Sequence, residues 1–167
     1  MRSKILRLPD LIQTLEGLRK SGKRVVFTNG CFDILHVGHV RYLTAARAKG
    51  DVLVLGLNSD VSVRSIKPDN RPIVNQDQRA EVLAGLTCVD YITIFDEPDP
   101  LALIRAVKPD ILVKGADWEE AEIIGSDVVK SYGGKVVRVE VVPDISTSQI
   151  IQRILELYGR ETTDTHE

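Results

Sequence analysis

The residue types in this chain best suited to chemistry are two histidines, His36 and His39, which lie three residues apart around Gly38. A spacing of three places both imidazoles on one face of a helix. They follow a buried apolar run at a helix start, where unpaired N–H groups and a partial positive charge favour an anion. Gly38 removes a side chain from between the imidazoles and lets a ligand approach the backbone closely. The pattern predicts a clamp for a phosphate group, suited to a phosphoryl group in transfer.

Two other interpretations of these histidines stay open from the residues alone. A single histidine is more often a packing or surface residue than a ligand-binding one. Here, however, two of the three histidines share one turn, and the third, His166, lies near the end of the chain. Two histidines at this spacing can also share a zinc ion, but no Cys, Asp or Glu at an obvious spacing completes a ligand set. The shared turn favours phosphate binding.

Hydroxyl and basic side chains elsewhere supply further candidates for phosphate contacts. Residues 146–148, Ser-Thr-Ser, precede the last predicted helix, where hydroxyls can cap the helix or bind phosphates at its positive end. Lys67 and Arg71 lie in residues 58–75, a stretch with little periodicity. We interpret it as a long, basic, partly mobile loop, and such loops are usually functional or disordered. A solvated charged loop without a ligand is the alternative.

The elements that must position these side chains alternate along the chain. Apolar and β-branched runs predict strands at residues 24–28, 51–57, 91–95, 111–113 and 135–142. Amphipathic spacing predicts helices at residues 10–20, 37–49, 76–86, 100–107, 119–132 and 147–158. The last helix is expected to bury a face formed by Ile150, Ile151, Ile154 and Leu155.

This alternation predicts an α/β fold, a Rossmann-like doubly wound five-stranded parallel sheet with helices on both faces. In open sheets of this kind, ligands bind at the carboxyl ends of the strands. The turn that holds His36 and His39 follows the first strand of the sheet. The fold and the histidine pair therefore point to the same place for a site.

Length and composition limit the architecture to one domain. The chain has 167 residues, 43% of them hydrophobic and 28% charged. At this size one hydrophobic core forms without disulfides or a structural metal. Cys31 and Cys88 lie far apart in the sequence and form no CxxC pair, which fits a reducing compartment. We expect one domain over residues 1–160, with residues 1–22 as a flank that contains a short helix and residues 161–167 as a disordered tail.

Charge and hydropathy exclude several classes of partner. No apolar run approaches the roughly 20 residues that span a bilayer, and the N-terminus lacks the apolar core of a signal peptide. The 22 Lys and Arg against 24 Asp and Glu leave a net charge of −2, so no global positive field gathers nucleic acid. We expect a cytoplasmic protein with no membrane and no nucleic-acid partner.

The first strand-to-helix turn, TNGCFDILHVGH, resembles the HxGH signature of nucleotidyltransferases that join a nucleotide to a phosphorylated small molecule. Within this cytidylyltransferase-like superfamily, further motifs follow in the order seen in the adenylyltransferase domain of ADP-heptose synthesis. They are Asn58-Ser59-Asp60, Arg71-Pro72, Arg79-Ala80-Glu81, Val89-Asp90-Tyr91, Lys114-Gly115-Ala116-Asp117 and Ser146-Thr147-Ser148. The resemblance covers roughly residues 23–158.

The resemblance implies a reaction in which an oxygen of D-glycero-β-D-manno-heptose 1-phosphate attacks the α-phosphorus of ATP and expels pyrophosphate. No covalent enzyme intermediate forms, and Mg²⁺ accompanies ATP by bridging its phosphates, with no metal ligand expected from protein side chains. Negative charge builds on the α-phosphate and on pyrophosphate, so cationic and N–H donors supply most of the rate enhancement. The catalytic residues it implies are His36, His39 and Lys67.

The resemblance also implies two sets of contact residues. The nucleotide set is Thr28, Gly30, Cys31, Phe32, His36, Gly38, His39, Lys114, Gly115, Asp117, Ser146, Thr147 and Ser148. The acceptor set is Asn58, Asp60, Lys67 and Arg71. From the residues alone, Asp60 fits an Asx-turn nearly as well, Cys31 fits a packing role, and Trp118 fits surface packing as well as cover for a base.

Other functions remain alternatives at this point. Glycerol-3-phosphate cytidylyltransferases and FMN adenylyltransferases share the HxGH turn, and a non-catalytic nucleotide-sensing module would keep the same fold. The intact histidine pair favours an enzyme. The expected partners are ATP, a sugar 1-phosphate, a second copy of the chain in a homodimer, and a separate sugar kinase upstream, since the chain lacks a kinase domain.

Overall fold

Five strands form one parallel sheet in the computed structural model, which describes residues 2–68 and 70–159. The strands are β1 (Val25–Gly30), β2 (Val52–Asn58), β3 (Tyr91–Phe95), β4 (Ile111–Gly115) and β5 (Lys135–Val139). Their order is β3-β2-β1-β4-β5, and every neighbouring pair is parallel. The α/β fold with a five-stranded parallel sheet is thus confirmed.

Helices link the strands and cover both faces of the sheet. They are α1 (Leu8–Lys20), α2 (Val37–Arg47), α3 (Asp60–Ile66), α4 (Gln76–Ala84), α5 (Leu101–Val107), α6 (Ser126–Ser131) and α7 (Thr147–Tyr158), with short 3-10 turns at Arg2–Lys4 and Glu120–Glu122. No helix in the described residues combines the length and apolar character needed to cross a bilayer.

The alternation of side chains along β1 divides the core into two layers. Val26 packs with Leu43 of α2 and Leu83 of α4 on one face of the sheet. Phe27 packs with Leu11 of α1 and Ile104 of α5 on the other face. Because both faces are covered, the central strands begin as apolar runs, and this pattern predicts them from the sequence.

The central strand β1 has two very different neighbours. It pairs with β2 along its whole length, from Val25 opposite Val52 to Gly30 opposite Leu57. Its pairing with β4 covers only Val26 opposite Ile111 and Phe27 opposite Leu112. The two strands therefore separate toward their carboxyl ends, at the point where the strand order reverses.

The prediction of one long loop over residues 58–75 was wrong, because α3 occupies Asp60–Ile66. The Ser59 side chain caps this helix by accepting from the Ser62 backbone N–H at 3.1 Å. The Ser62 hydroxyl then donates to the carbonyl of Glu97 at 2.6 Å, and Val63 is fully buried. A cap and tertiary contacts outweigh the weak apolar periodicity of this segment.

The predicted continuous helix at residues 119–132 is also wrong. The structure has a 3-10 turn at Glu120–Glu122 and then α6, which begins after Gly125. Gly125 has a φ of +85°, outside the helical region, and a Cβ there would lie 2.7 Å from Ile104. The glycine therefore ends one segment and lets the chain pack closely on α5.

The last helix has the predicted bounds, but part of the face expected to be buried is exposed. Ile154 is 48% exposed and Leu155 is 59% exposed, whereas Thr147 at the start of α7 is buried. The amino-terminal turn of α7 thus packs on the protein, and its carboxyl-terminal half extends away from it. The tail predicted at residues 161–167 lies outside the described residues.

Candidate active site

A cavity of about 600 Å³ opens at the carboxyl ends of the strands. Asn29 from β1, Asn58 from β2 and Lys114 from β4 line its floor, where β1 and β4 separate. The first turns of α2 and α7 supply two of its walls. Two helix N-termini therefore face one cavity, and each offers unpaired N–H groups to an anion.

The two imidazoles form one stacked unit at the start of α2. The ring centroids of His36 and His39 are 3.7 Å apart with an angle of 23° between the planes, and Phe32 meets His39 edge-on at 5.0 Å. A Cβ on Gly38 would lie 3.0 Å from the His36 ring and 3.2 Å from Ile145. Gly38 therefore leaves the room that the His36 ring occupies.

Both histidines are short of hydrogen-bond partners. In the described residues, the Nδ1 atoms of His36 and His39 are buried without a partner. Burial lowers the pKa of His36 below its usual value, and burial together with the neighbouring His36 lowers the pKa of His39 to about 4. The free protein thus holds two neutral imidazoles at pH 7, each with one donor and one acceptor nitrogen.

The turn between β1 and α2 also depends on a glycine that lies against an aromatic ring. A Cβ on Gly30 would lie 2.7 Å from the Phe32 ring, and Phe32 itself has a φ of +46°. Gly30 therefore allows Phe32 to fold back against His39. Burial raises the pKa of the intervening Cys31 thiol, which lines the cavity as a neutral group.

The first turn of α7 is tied to the histidine turn. The Ser146 hydroxyl caps the helix by accepting from the Gln149 N–H at 3.2 Å. The Thr147 hydroxyl donates to the carbonyl of Ile34 at 3.4 Å, in the turn before α2. Ser146 and Thr147 line the cavity together with Ser148. Ser146 thus caps α7 from within the cavity wall.

Side chains bridge β1 and β4 where their backbone pairing stops. The Thr28 and Tyr42 hydroxyls lie 2.7 Å apart, and Tyr42 donates to the carbonyl of Val113 at 3.2 Å. One residue further along each strand, the Lys114 ammonium donates to the Asn29 side-chain oxygen. Burial lowers the pKa of Lys114 to about 8 and raises that of Tyr42 to about 12. The cavity floor is thus a cross-linked set of polar groups.

Most of the predicted site residues meet in this cavity. Its walls contain Gly30, Cys31, Phe32, His36, Gly38, His39, Asn58, Lys67, Arg71, Lys114, Gly115, Asp117, Ser146, Thr147 and Ser148. Trp118 also lines it and is 51% exposed. Two predicted residues are not in these walls. Thr28 is buried beneath the floor, and the Asp60 carboxylate accepts from Arg79 at 2.8 Å.

Sequence reasoning gave no role to Arg79, the largest fully buried side chain among the described residues. Its guanidinium donates to the carbonyls of Cys31 at 2.6 Å, Asn58 at 2.8 Å and Val74 at 2.9 Å, besides Asp60. It therefore joins the histidine turn to the end of β2 and to the segment before α4. The only signal in the sequence was its place in the Arg79-Ala80-Glu81 motif.

Metal ligands form no obvious cluster within residues 2–68 and 70–159. No group of three or more His, Cys, Asp or Glu side chains there is arranged to hold a metal ion.

Comparison with known protein families and curated proteins gives consistent matches. The family model described as cytidylyltransferase-like matches residues 27–153. The chain is 53% identical over 159 residues to the "Bifunctional protein HldE" of Geobacter metallireducens, covering 95% of this chain and 32% of that protein. The protein of the same name from Syntrophotalea carbinolica is 53% identical over 156 residues, with 93% and 32% covered. The chain thus spans about a third of the length of these curated relatives.

Solved structures share the fold. The lipopolysaccharide core biosynthesis protein from Thermoplasma volcanium is 32% identical, with a TM-score of 0.63 over 72% of this chain and 99% of that one. Pantoate-beta-alanine ligase from Francisella tularensis has a TM-score of 0.60 over 97% of this chain and 81% of that one. The second structure is only 15% identical, so it supports the fold alone.

Proposed function

Since the chain belongs to the cytidylyltransferase-like family, a family of nucleotidyltransferases, we propose that it transfers AMP from ATP to D-glycero-β-D-manno-heptose 1-phosphate. The products are ADP-heptose and pyrophosphate. Three findings support this acceptor: the order of the sequence motifs, the relatives named HldE, and the structural likeness to a lipopolysaccharide core biosynthesis protein. ADP-heptose would then serve lipopolysaccharide biosynthesis.

The stacked histidine pair is the observation that carries the proposal. His36 and His39 line a cavity onto which two helix N-termini open, and their Nδ1 atoms are buried without a partner among the described residues. An unpaired buried polar group costs free energy in the empty protein, so its retention indicates a ligand that supplies the partner. A triphosphate has oxygen acceptors and negative charge enough to satisfy both imidazoles and the N–H groups of α2 and α7.

The reaction needs positioning and charge neutralisation rather than a protein nucleophile. A phosphate oxygen of the sugar 1-phosphate bonds to the α-phosphorus of ATP, and the bond from that phosphorus to the bridging oxygen of pyrophosphate breaks. Pyrophosphate leaves with the electron pair, and an ionised phosphate needs no general base to attack. Fixed donors at the α-phosphate therefore lower the barrier by stabilising charge in the transition state.

Binding of ATP should change the protonation of the imidazoles. His36 and His39 are neutral in the free protein, because burial lowers their pKa values. Negative phosphate oxygens in contact with them favour the charged form and raise these pKa values again. We therefore expect ATP binding to favour proton uptake by one imidazole of the pair, because charge on His36 lowers the pKa of His39.

Lysine and magnesium would complete the neutralisation. Lys67 follows α3 and lines the cavity, and in this proposal it contacts the phosphates. Mg²⁺ would arrive with ATP and supply positive charge to the triphosphate oxygens. The acceptor itself arises by phosphoryl transfer to a sugar, so we expect a sugar kinase to act before this reaction. The homodimer expected from the resemblance stays a prediction.

The proposal is tested by pyrophosphate release across a matrix of substrates. The purified protein is incubated with Mg²⁺, ATP or CTP, and heptose 1-phosphate, glycerol 3-phosphate or FMN. We expect turnover with ATP and heptose 1-phosphate and at least a hundredfold slower release with the other pairs. Turnover with CTP and glycerol 3-phosphate, or with ATP and FMN, would replace the proposed substrates. ATP binding without turnover on any acceptor would indicate a nucleotide sensor.

A further inference from the structure

A buried carboxylate, Asp33, lines the cavity and organises the residues around it. Its side chain is 0% exposed and lies in the turn between β1 and α2. The Oδ2 atom accepts from the Arg71 Nε at 2.5 Å and from the Ile73 N–H at 2.9 Å, and Oδ1 accepts from the Val74 N–H at 2.8 Å. One carboxylate thus fixes both the Arg71 side chain and the backbone that follows it.

The way Asp33 holds Arg71 leaves the far end of the guanidinium available. Among the described residues, the hydrogen bond and ion pair of Arg71 both run through Nε. The two terminal amino groups, each with two N–H donors, are therefore left for a ligand. Arg71 is only 11% exposed at its side chain, and it lines the cavity together with Lys67 and the two histidines.

We propose that Asp33 is a positioning residue that holds Arg71 so that its two terminal amino groups bind the phosphate of the acceptor as a fork. This assignment rests on the proposed function and deepens it, because it makes a phosphate monoester the required acceptor class. Arginine matches two phosphate oxygens with a planar pair of donors, which a lysine cannot do. The proposal adds a side chain that sequence reasoning left without a role.

Pre-ordering is the physical reason that Asp33 matters for binding. A free arginine side chain loses rotamer freedom when it grips a ligand, and that loss weakens binding. Arg71 has already lost this freedom through Asp33. Although burial acts to raise it, the hydrogen bonds from the Val74 and Ile73 N–H groups and from Arg71 hold the pKa of Asp33 below its usual value. The carboxylate therefore stays ionised at neutral pH.

The opposite end of the sheet offers a matched control. The Oδ2 atom of Asp90 forms an ion pair with the Arg47 Nε at 2.7 Å and accepts from the Leu53 N–H at 2.7 Å. This pair likewise joins an arginine Nε to an aspartate that accepts from a backbone N–H, but it is more exposed, and neither Asp90 nor Arg47 lines the cavity. A general effect of losing an aspartate–arginine pair will appear in the variants of both pairs. A specific effect on acceptor binding will appear only in the variants of Asp33 and Arg71.

The experiment compares five variants with the unmodified protein: Asp33→Asn, Arg71→Met, the double variant of both, Asp90→Asn and Arg47→Met. Steady-state kinetics give KM for each substrate and kcat. Asp33→Asn and Arg71→Met should each raise the KM for heptose 1-phosphate about 10- to 100-fold, while the KM for ATP changes less than about twofold. The double variant should be no worse than Arg71→Met alone, because Asp33 acts through Arg71. The two control variants should leave both KM values unchanged.

A binding measurement separates this proposal from the proposed function. Heptose 1-phosphate is titrated calorimetrically into the protein with a non-hydrolysable ATP analogue, and thermal unfolding verifies that each variant is folded. Arg71→Met keeps the backbone bonds of Asp33, so it stays informative if Asp33→Asn unfolds. Turnover with unchanged acceptor KM in Arg71→Met overturns the assignment and leaves the function standing. Turnover only with a different phosphate acceptor overturns the function, and the same variants then test the assignment on that acceptor. The assignment is also overturned if the double variant raises the KM for the acceptor by the product of the two single effects.

Discussion

The two ends of the sheet differ in whether all of their buried polar side-chain atoms have partners. At the amino ends of the strands, Asp51, Asp90 and Asp110 accept from backbone N–H groups at 2.7–2.8 Å. At the carboxyl ends, the Nδ1 atoms of His36 and His39 are buried without partners among the described residues. Satisfied polar groups stabilise a fold, whereas unsatisfied ones weaken it and persist where a ligand completes them. We therefore expect substitution of the unpartnered histidines at the carboxyl ends to lower activity with little effect on stability. Substitution of the bonded aspartates at the amino ends should lower stability with little effect on activity.

The strongest test of this contrast is His39→Ala. Loss of one preorganised donor at the reacting phosphate should lower kcat about 10²- to 10³-fold. The free energy of unfolding should change by only about 1 kcal/mol, since the loss of ring contacts with His36 and Phe32 is offset in part by removal of a buried nitrogen without a partner. Pyrophosphate release and urea unfolding measure the two quantities. Unchanged turnover in the variant would remove the carboxyl-end cavity as the reaction site.

A smaller loss is expected for Lys67→Met. Removing one charged donor from the phosphates should lower kcat about 10- to 100-fold, by the usual contribution of a charge-assisted hydrogen bond. The matched control is Arg64→Met, on α3 but outside the walls of the main cavity. Kinetics with saturating ATP measure both variants. Equal losses in the two would show that only the net charge of this region matters.

The amino end is tested by Asp110→Ala, which should lower stability and spare activity. Its Oδ2 atom accepts from the Val25 N–H at 2.7 Å, at the start of β1. Loss of this acceptor should decrease the free energy of unfolding by about 1–2 kcal/mol. The kcat at a temperature well below unfolding should stay within about twofold. A large fall in kcat with an unchanged melting temperature would contradict the division between the two ends.

The smallest effect is the pH dependence that His39 adds to stability. Its folded-state pKa is about 4, below the ordinary value of 6.5, because of burial and the neighbouring His36. Between these values the unfolded chain binds a proton that the folded protein does not, so stability falls as the pH is lowered. Going from pH 7 to pH 6 should cost less than about 1 kcal/mol. Urea unfolding at the two pH values should show a smaller loss of stability in the His39→Gln variant than in the unmodified protein.

The sequence was a good guide wherever the pattern is local. Strands buried on both faces gave apolar runs, and the cap at Ser146 followed by amphipathic spacing gave the bounds of α7. The histidine pair could be found because both residues lie in one turn. Each of these features depends on residues that lie within about a dozen positions of one another, so periodicity and spacing in the sequence predict it.

Features that join distant segments could not be found in this way. Arg79 donates to carbonyls that belong to three separate segments, and any residue type supplies a carbonyl. Asp33 and Arg71 are 38 positions apart and meet only in the folded chain. The helix α3 was missed because its support includes a contact with the carbonyl of Glu97, beyond the next helix. Tertiary contacts leave little trace in local composition.

The early separation of β1 from β4 also bears on how such a protein changes its substrate. The gap is set by two neighbouring strands of the central sheet and is spanned by the Tyr42 hydroxyl between Thr28 and Val113. We therefore expect the width of the gap to be as constant as the core beneath it. If the proposed reaction is correct, a change of acceptor would then require substitutions at the rim of the cavity and leave its floor unchanged.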